Sequence, residues 1–248
     1  MKQNSYKAVF LDLDGTLLQL DEKLFLKAYF DALGKISAER GFDAEAMCKA
    51  VGKSVSAMLD HEPGILNSQA FWTSFVYLWG PITPKVVDLF DSFYETTFNE
   101  IGRLCTPNPY AAQLIEELKD KGYPLYLTTL PLFPRIAVEN RLRWAGVDPA
   151  AFSRITTYDN STACKPKLQY YQENVDFIGL EPSEILMIGN NTLEDLAAMD
   201  LGMDAFLVTD CLINPNNFDV ETVRHGGLAD LAAFVHSLPT CEAEGEEC

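Results

Sequence analysis

The feature that most constrains the fold is a regular alternation of short apolar runs and amphipathic segments from about residue 110 to residue 238. The apolar runs have the length and composition of buried strands and lie at 123–129, 154–158, 185–189 and 205–208. The amphipathic segments have helical spacing and lie at 111–121, 134–145, 167–179, 193–201 and 228–238. Such βα repeats predict a doubly wound, Rossmann-like α/β fold with a parallel sheet, whose active site lies at the carboxyl ends of the strands.

A long helical segment interrupts this alternation. It contains no convincing strand but four candidate helices, near 21–40, 43–60, 67–79 and 84–101. We therefore expect an all-helical cap domain at 19–105, inserted into a catalytic core at 1–18 and 106–240, with a disordered acidic tail at 241–248. The insert is rich in aromatic residues that could line a ligand pocket, but we interpret them as its packed core: Phe71, Trp72, Phe75, Tyr77 and Trp79.

Composition narrows the class of partner. The 248 residues are 48% hydrophobic, enough for a large core, and the formal net charge is −17 with no basic stripe. Nucleic acids and anionic membranes both need such a stripe, so we predict neither as a partner and favour a small molecule. The chain has no apolar run of bilayer length and no signal-peptide core at Met1, so we expect a cytoplasmic protein, either a monomer or a homodimer.

Two carboxylates follow the first apolar run. Asp12 and Asp14 lie at the end of the segment 8–13, which has the composition of a buried strand, and strand alternation would place both side chains on one side. Like charges at that range are costly unless a cation, a proton or a substrate offsets them, and a divalent metal does so most simply. A carboxylate at a strand end can also attack a phosphoryl group, so we predict Asp12 as the nucleophile and Asp14 as its proton-transfer partner.

Three further segments place polar side chains where strands or loops end. In chain order they are Thr128 with Thr129, Lys165 with Pro166, and the run from Gly189 and Asn190 to Asp195. Each alone has an ordinary explanation, because threonine is common in strands, a single lysine is usually a surface residue, and a helix N-terminus favours an acid. Their joint occurrence in this order indicates one site for a phosphoryl group.

With these segments the chain resembles the haloacid dehalogenase superfamily. The four motifs of that family match Asp12-Leu13-Asp14-Gly15-Thr16, Thr128, Lys165-Pro166, and Gly189-Asn190 through Asp195. The resemblance covers nearly the whole chain, because the helical insert between the first two motifs also matches. It implies a phospho-enzyme on the nucleophilic aspartate and a magnesium ion (Mg2+) that neutralises and orients the phosphate.

The resemblance also implies a role for each matching residue. These roles are nucleophile and metal ligand for Asp12, acid, base and backbone-carbonyl metal ligand for Asp14, phosphoryl binding for Thr128 and Lys165, and metal-site carboxylate for Asp195. Thr129 stands where the family often has asparagine, and we group it with the substrate-binding residues.

One position departs from the family pattern. The fourth motif usually begins Gly-Asp, whereas this chain has Asn190 in place of the first acid. An amide oxygen can still coordinate a metal, but the site loses one negative charge. We therefore predict weaker Mg2+ binding than in a two-acid site, with Asp195 contributing more of it.

Together these residues predict a magnesium-dependent phosphatase that acts on a small phosphorylated metabolite through an aspartyl-phosphate. Asp14 separates this function from dehalogenation, because the dehalogenases of the family lack the second acid. The alternatives are a phosphomutase of the same family, or a catalytically weakened protein that binds a phosphate ligand, which the lost acid at Asn190 suggests. Lys53 is a candidate for substrate binding, although an exposed helix lysine is the simpler interpretation.

Overall fold

The computed structural model describes residues 6–241, so the tail predicted at 241–248 lies outside the described residues from 242 onward. The strands are β1 (Ala8–Leu11), β2 (Leu18–Gln19), β3 (Thr106–Pro107), β4 (Leu125–Leu127), β5 (Arg154–Ile155), β6 (Ile185–Gly189), β7 (Asp204–Val208) and β8 (Arg224–Gly226). The α-helices are α1 (Glu22–Glu39), α2 (Ala44–Asp60), α3 (Asn67–Trp79), α4 (Pro84–Ser92), α5 (Phe98–Ile101), α6 (Pro109–Asp120), α7 (Arg135–Trp144), α8 (Leu168–Ile178) and α9 (Leu228–Ser237).

Six of the strands form one parallel sheet in the order β5-β4-β1-β6-β7-β8. The chain runs from β1 outward through β4 and β5 on one side, then returns to build β6, β7 and β8 on the other. The strand order therefore reverses at β1, and the crevice at its carboxyl end is where a doubly wound sheet binds its ligand. This is the α/β architecture that the alternation predicts.

Strand β1 is apolar at every position and is buried on both faces of the sheet. Val9 and Leu11 pack under helices α6, α7 and α9, whereas Ala8 and Phe10 pack against α8 on the other face. This continuous burial is typical of a parallel strand covered on both sides. It fixes the register of β1 and hence the position of the residues that follow Leu11.

A helical insert, α1 to α5, leaves and rejoins the sheet layer through the antiparallel pair β2 and β3. The insert has a hydrophobic cluster of its own, with Tyr29, Val51 and Phe75 among its buried members. Between α4 and α5 the helix widens into a π-helical turn, Phe93–Thr97. The predicted domain boundaries fall on the β2–β3 pair, and the division into two domains stays a prediction.

The first turn of α3 is fastened to the sheet layer. The backbone N–H of Asn67 donates to the carbonyl of Ser161 at 2.9 Å, and that of Ser68 donates to the carbonyl of Tyr158 at 2.8 Å. The Asn67 side chain, fully buried, also donates to the carbonyl of Pro131 at 3.1 Å. These bonds hold the insert over the carboxyl ends of the strands.

Several elements differ from the sequence prediction, mostly in length. The strands predicted at 8–13 and 154–158 end at Leu11 and Ile155, and the helix predicted at 193–201 is a 3-10 helix, Leu196–Leu201. The short strands β2, β3 and β8 were not predicted, because two or three residues leave too little alternation to detect. Within residues 6–241, no helix combines the length and apolarity that a bilayer span requires.

Candidate active site

The sheet brings the predicted residues together at one edge. Asp12 follows β1, Thr128 follows β4 and Asn190 follows β6, and these three strands are neighbours at the reversal of strand order. Lys165 enters from the loop before α8, and Asp195 lies at the start of the 3-10 helix after β6. All five side chains are buried.

Asp12 is a buried carboxylate with one cationic partner. Its side chain Oδ1 accepts a hydrogen bond from Lys165 Nζ at 2.9 Å, and its Oδ2 lies 3.3 Å from the hydroxyl of Thr16. Burial raises the pKa of the Asp12 carboxyl to about 7, against the opposing effect of the Lys165 ammonium and with a further upward contribution from Asp195. A carboxylate that is this poorly solvated is a stronger nucleophile than one in water, because it has few hydrogen bonds to lose.

Lys165 joins two acids. Its ammonium also donates to Asp195 Oδ1 at 2.6 Å, while Asp195 Oδ2 accepts from the backbone N–H groups of Asn190 and Asn191, each at 2.9 Å. Burial by itself would lower the pKa of Lys165, but Asp12 and Asp195 outweigh it and raise that pKa well above its ordinary value. Both oxygens of Asp195 are thus engaged in orienting Lys165 and the β6 loop, and its role as a metal-site carboxylate stays a prediction.

Asp14 does not share a strand face with Asp12. Both acids lie beyond β1, which ends at Leu11, and the chain turns at Gly15, whose φ is +84°; Asp14 contacts a different cation, Arg141 on α7. Each acid thus has its own cationic partner, Lys165 for Asp12 and Arg141 for Asp14, although Asp14 still contributes to the raised pKa of Asp12. The expectation that a divalent metal offsets the charge of these acids stays a prediction.

Arg141 is a site residue that the sequence reasoning missed. Its guanidinium is 1% exposed, donates to Asp14 Oδ2 and stacks over the ring of Phe133 at 4.4 Å. Its Nε and Nη2 have no hydrogen-bond partner within the described residues, and neither has Asp14 Oδ1. A signal existed, because Arg141 lies one turn after Ala137 and Val138 on the buried stripe of α7, where a charge requires a partner.

Asn190 fills the position of the missing acid with an amide that has a hydrogen-bond partner at its oxygen and another at its nitrogen. Its Oδ1 lies 3.2 Å from the Thr16 hydroxyl, and its Nδ2 donates to the carbonyl of Cys211 at 2.6 Å. A Cβ at Gly15 would lie 2.2 Å from Asn190 Nδ2, so the side chain packs directly on the turn of the first motif. Only glycine allows both this approach and the positive φ at that position.

The remaining predicted residues are two buried threonines, Thr128 and Thr129, and one exposed lysine, Lys53. Thr128 is fully buried, with its hydroxyl 3.4 Å from the carbonyl of Leu11, and Thr129 is buried with its own carbonyl accepting from Thr156 and Tyr170. Lys53 is exposed on α2, and the structure does not bring it to this cluster.

The side-chain oxygens at the site are of the kind that binds Mg2+, and they would supply only a few of its ligands. Within residues 6–241, no three His, Cys, Asp or Glu side chains are arranged to hold a metal ion. Asp12 Oδ2 and Asn190 Oδ1 nevertheless converge, since both lie within 3.3 Å of the Thr16 hydroxyl. Mg2+ prefers oxygen donors and is commonly held by one or two protein oxygens together with water and a substrate phosphate.

The opening beside these donors is acidic. It is lined by Asn190, by one lysine, Lys23, and by four acids, Asp14, Asp21, Glu22 and Asp210. Burial and the nearby Asp14 raise the pKa of Glu22. A phosphate that enters here meets negative charge, so the charge of a divalent cation would favour its entry.

The chain is similar in sequence and in fold to known phosphatases. It is 26% identical over 223 residues to the glyceraldehyde 3-phosphate phosphatase of Methanothermobacter thermautotrophicus, covering 87% of this chain and 91% of that protein. It is 23% identical over 202 residues to the pyrophosphatase PpaX of Bacillus velezensis, covering 82% of each. The fold matches that of a crystal structure of a HAD phosphatase from Thermococcus onnurineus, with a TM-score of 0.58, 21% identity, and coverage of 94% of this chain and 99% of that one.

The family assignment rests on a match to most of the chain. The model of the haloacid dehalogenase-like hydrolases matches residues 6–200, a span that includes all four motifs and the helical insert. The chain therefore belongs to the haloacid dehalogenase-like hydrolases.

Proposed function

We propose that this protein is a magnesium-dependent phosphatase that hydrolyses a small phosphate monoester through an aspartyl-phosphate on Asp12. The observation that supports this most directly is the environment of Asp12, a buried carboxylate at the switch point of the sheet with Lys165 on one oxygen and the other facing Thr16. The names of the relatives, which include phosphatases, support the same reaction class.

The proposed reaction has two steps. An oxygen of Asp12 attacks phosphorus, the bond from phosphorus to the ester oxygen breaks, and the leaving oxygen takes a proton from Asp14. A water molecule then attacks the phosphorus of the aspartyl-phosphate and gives a proton to Asp14, and the bond between Asp12 and phosphorus breaks to release phosphate. Lys165 offsets the negative charge that gathers on the transferring group.

Thr128 and the metal complete this mechanism. Thr128 follows β4 beside Asp12, where a hydroxyl can donate to a phosphoryl oxygen in place of its present acceptor, Leu11. Mg2+ would be held by Asp12 and Asn190 and would supply positive charge to the phosphoryl oxygens. Asp195 acts through Lys165, whose ammonium it holds against Asp12.

The first test is the hydrolysis of p-nitrophenyl phosphate by the native chain. We expect turnover with added Mg2+, loss of turnover with EDTA, and recovery when Mg2+ is restored, because the acidic opening and the two oxygen donors need a cation. An absence of turnover with every divalent metal tried and across a range of pH would contradict the proposal and favour a phosphate-binding protein.

The substitution Asn190→Asp is expected to lower the Mg2+ concentration for half-maximal activity by about tenfold, because a carboxylate replaces a neutral amide as a ligand. The measurement is a Mg2+ titration of the steady-state rate. Asn191→Asp is the matched control, since it adds the same charge one residue along, where the side chain accepts from the backbone N–H groups of Leu193 and Glu194. If the metal requirement of Asn190→Asp is unchanged, Asn190 is not a ligand.

A further inference from the structure

A large apolar cavity lies between the helical insert and the sheet layer. Its volume is about 690 Å³, and helices α1 to α4 line it together with the loops that follow β4 and β5. Its deep wall consists of buried residues, which include Tyr29, Val51, Phe71 and Phe90. The sequence interpretation of the aromatic residues is wrong for Tyr77, which is 88% exposed, and holds for Phe71 and Phe75, which are buried in the core of the insert with Trp72 and Trp79 packed against them; Phe71 and Trp72 also line the cavity.

The cavity is too large to be a packing defect. Protein interiors hold few voids larger than a water molecule, whereas ligand sites commonly measure roughly 300 to 1,000 Å³. Its mouth also exposes apolar side chains that a protein without a ligand there would bury, namely Leu26, Ile82, Val87 and Ile136, which are between 37% and 51% exposed. Both features indicate a binding site for an apolar group.

The charge of the lining excludes an anionic organic group. Among the described residues that line the cavity, none is lysine, arginine or histidine, and the ionisable acids are Asp91 and Glu95. The hydroxyls of Tyr29 and Tyr94 bond to each other at 3.0 Å, which reduces their capacity to bind a polar ligand. A carboxylate or a second phosphate would lose its hydration here without gaining a cation, whereas an aromatic ring would stack on aromatic neighbours.

The cavity adjoins the catalytic residues on two sides. Phe133 forms part of its wall, Arg141 stacks on that ring, and Arg141 donates to Asp14, the residue that faces the leaving oxygen in the proposed reaction. On α1, Glu22 lines the acidic opening and Leu26 lines the cavity one turn later. Residues four apart on a helix lie about 6 Å from each other, so the acidic opening and the cavity are neighbours along α1.

From this placement we propose that the substrate is a phosphate monoester with an apolar, aromatic organic group, which the cavity binds during hydrolysis. The proposal rests on the phosphatase function and names the substrate class of the same site. It predicts that esters with a larger apolar organic group are hydrolysed more efficiently. It also predicts that esters with a charged organic group are hydrolysed less efficiently.

The test compares two esters in which the leaving oxygen is chemically alike but the organic group differs, and adds an alkyl ester whose organic group is charged. Phenyl phosphate and 2-naphthyl phosphate both release a phenol, so their intrinsic reactivities are close. We expect kcat/KM for 2-naphthyl phosphate to exceed that for phenyl phosphate by about tenfold or more, because the second ring is removed from water. Phosphoglycolate, whose organic group carries a carboxylate, should be the poorest of the three.

A variant that fills the cavity should remove this preference. Gly52 lies on α2 at the cavity wall, and a Cβ there would make only an ordinary contact with Phe30 at 3.7 Å. Gly52→Leu is expected to lower kcat/KM for 2-naphthyl phosphate about tenfold and to change that for phosphoglycolate less than twofold. Val55→Phe, from the same wall, is the second variant, and Gly34→Ala controls for glycine replacement in an insert helix away from the cavity.

The outcomes separate this proposal from the phosphatase function. Hydrolysis of the three esters at equal efficiency, or a preference for phosphoglycolate, would overturn the apolar substrate class and leave the phosphatase function standing. An absence of hydrolysis of every ester, p-nitrophenyl phosphate included, would overturn both. A naphthyl preference that both filling variants leave intact would show that the cavity does not bind the organic group, and would also overturn the proposal.

Discussion

Asp12→Asn is expected to abolish phosphate-ester hydrolysis, with kcat reduced by about 10⁴-fold or more, and to leave the protein folded. The amide keeps the shape of the carboxylate and can still accept from Lys165, but it cannot attack phosphorus. The measurements are the steady-state rate and the covalent labelling of the protein by a 32P-labelled ester after an acid quench. Asp12→Ala serves as a control against slow deamidation of the new asparagine.

The same substitution should raise stability at neutral pH. Burial raises the pKa of Asp12 from 3.8 to about 7 in the folded protein. Between these two pH values the carboxyl is therefore protonated in the folded state and ionised in the unfolded state. This contribution to the free energy of unfolding is complete below about pH 4 and is lost as the pH rises through about 7. We therefore expect Asp12→Asn, in EDTA, to be more stable than the native chain by about 1 to 2 kcal/mol at pH 8.

Urea denaturation at several pH values measures this gain, which should disappear near pH 4 as Asp12 becomes protonated in both states. Hydrolysis by Asp12→Asn at a rate near that of the native chain would contradict the assignment of the nucleophile. A stability gain that does not vary with pH would contradict the stated origin of the effect, since charge would then play no part.

Lys165→Met is expected to be the most destabilising single substitution at the site. Lys165 is 3% exposed and is bonded to both Asp12 and Asp195, so its loss leaves two buried carboxylates beside each other without a cation. Breaking a buried ion pair from one side costs about 3 to 5 kcal/mol. We expect a loss of this size at about pH 8, and a smaller loss at about pH 5, where a proton on one carboxylate removes the repulsion.

The measurement is urea denaturation of Lys165→Met at both pH values, with kcat on p-nitrophenyl phosphate, which should fall by about 10²- to 10³-fold. Lys119→Met is the control for removing a lysine, because Lys119 is exposed on α6 and its loss should change stability by no more than about 0.5 kcal/mol. Equal destabilisation by the two variants would contradict the central place of Lys165.

The architecture of the sheet could be predicted from the sequence because hydrophobic periodicity is a local signal. Long helices such as α2 and α3 match their predicted bounds within a residue or two, and β6 matches its predicted bounds, Ile185–Gly189. The short strands escaped prediction because pairing partners distant in the chain define them, as when β8 pairs with β7. The turn at Gly15 also depends on the residue packed against it, Asn190, which periodicity does not reveal.

The residues of the candidate site could be predicted where they lie in sequence motifs. Asp12, Asn190 and Lys165 come together as expected, because each follows a strand or loop at the same edge of the sheet. The pairing of Asp14 with Arg141 was not predictable, since it depends on how α7 packs over the turn of the first motif. The apolar cavity could not be predicted either, because it is a space between several helices and does not follow from the sequence of any one of them.

The attachment of α3 to the sheet layer has a consequence for the order in which products leave. To part the insert from the strands, the protein would have to break the bonds that Asn67 and Ser68 make to three carbonyls at once. The cavity already reaches solvent at its own mouth, beside Leu26, and the acidic opening lies separately beside Asp14. In the proposed reaction the alcohol, which is released first, can leave through the mouth of the cavity, and the phosphate, which forms only after water attacks the aspartyl-phosphate, can leave through the acidic opening.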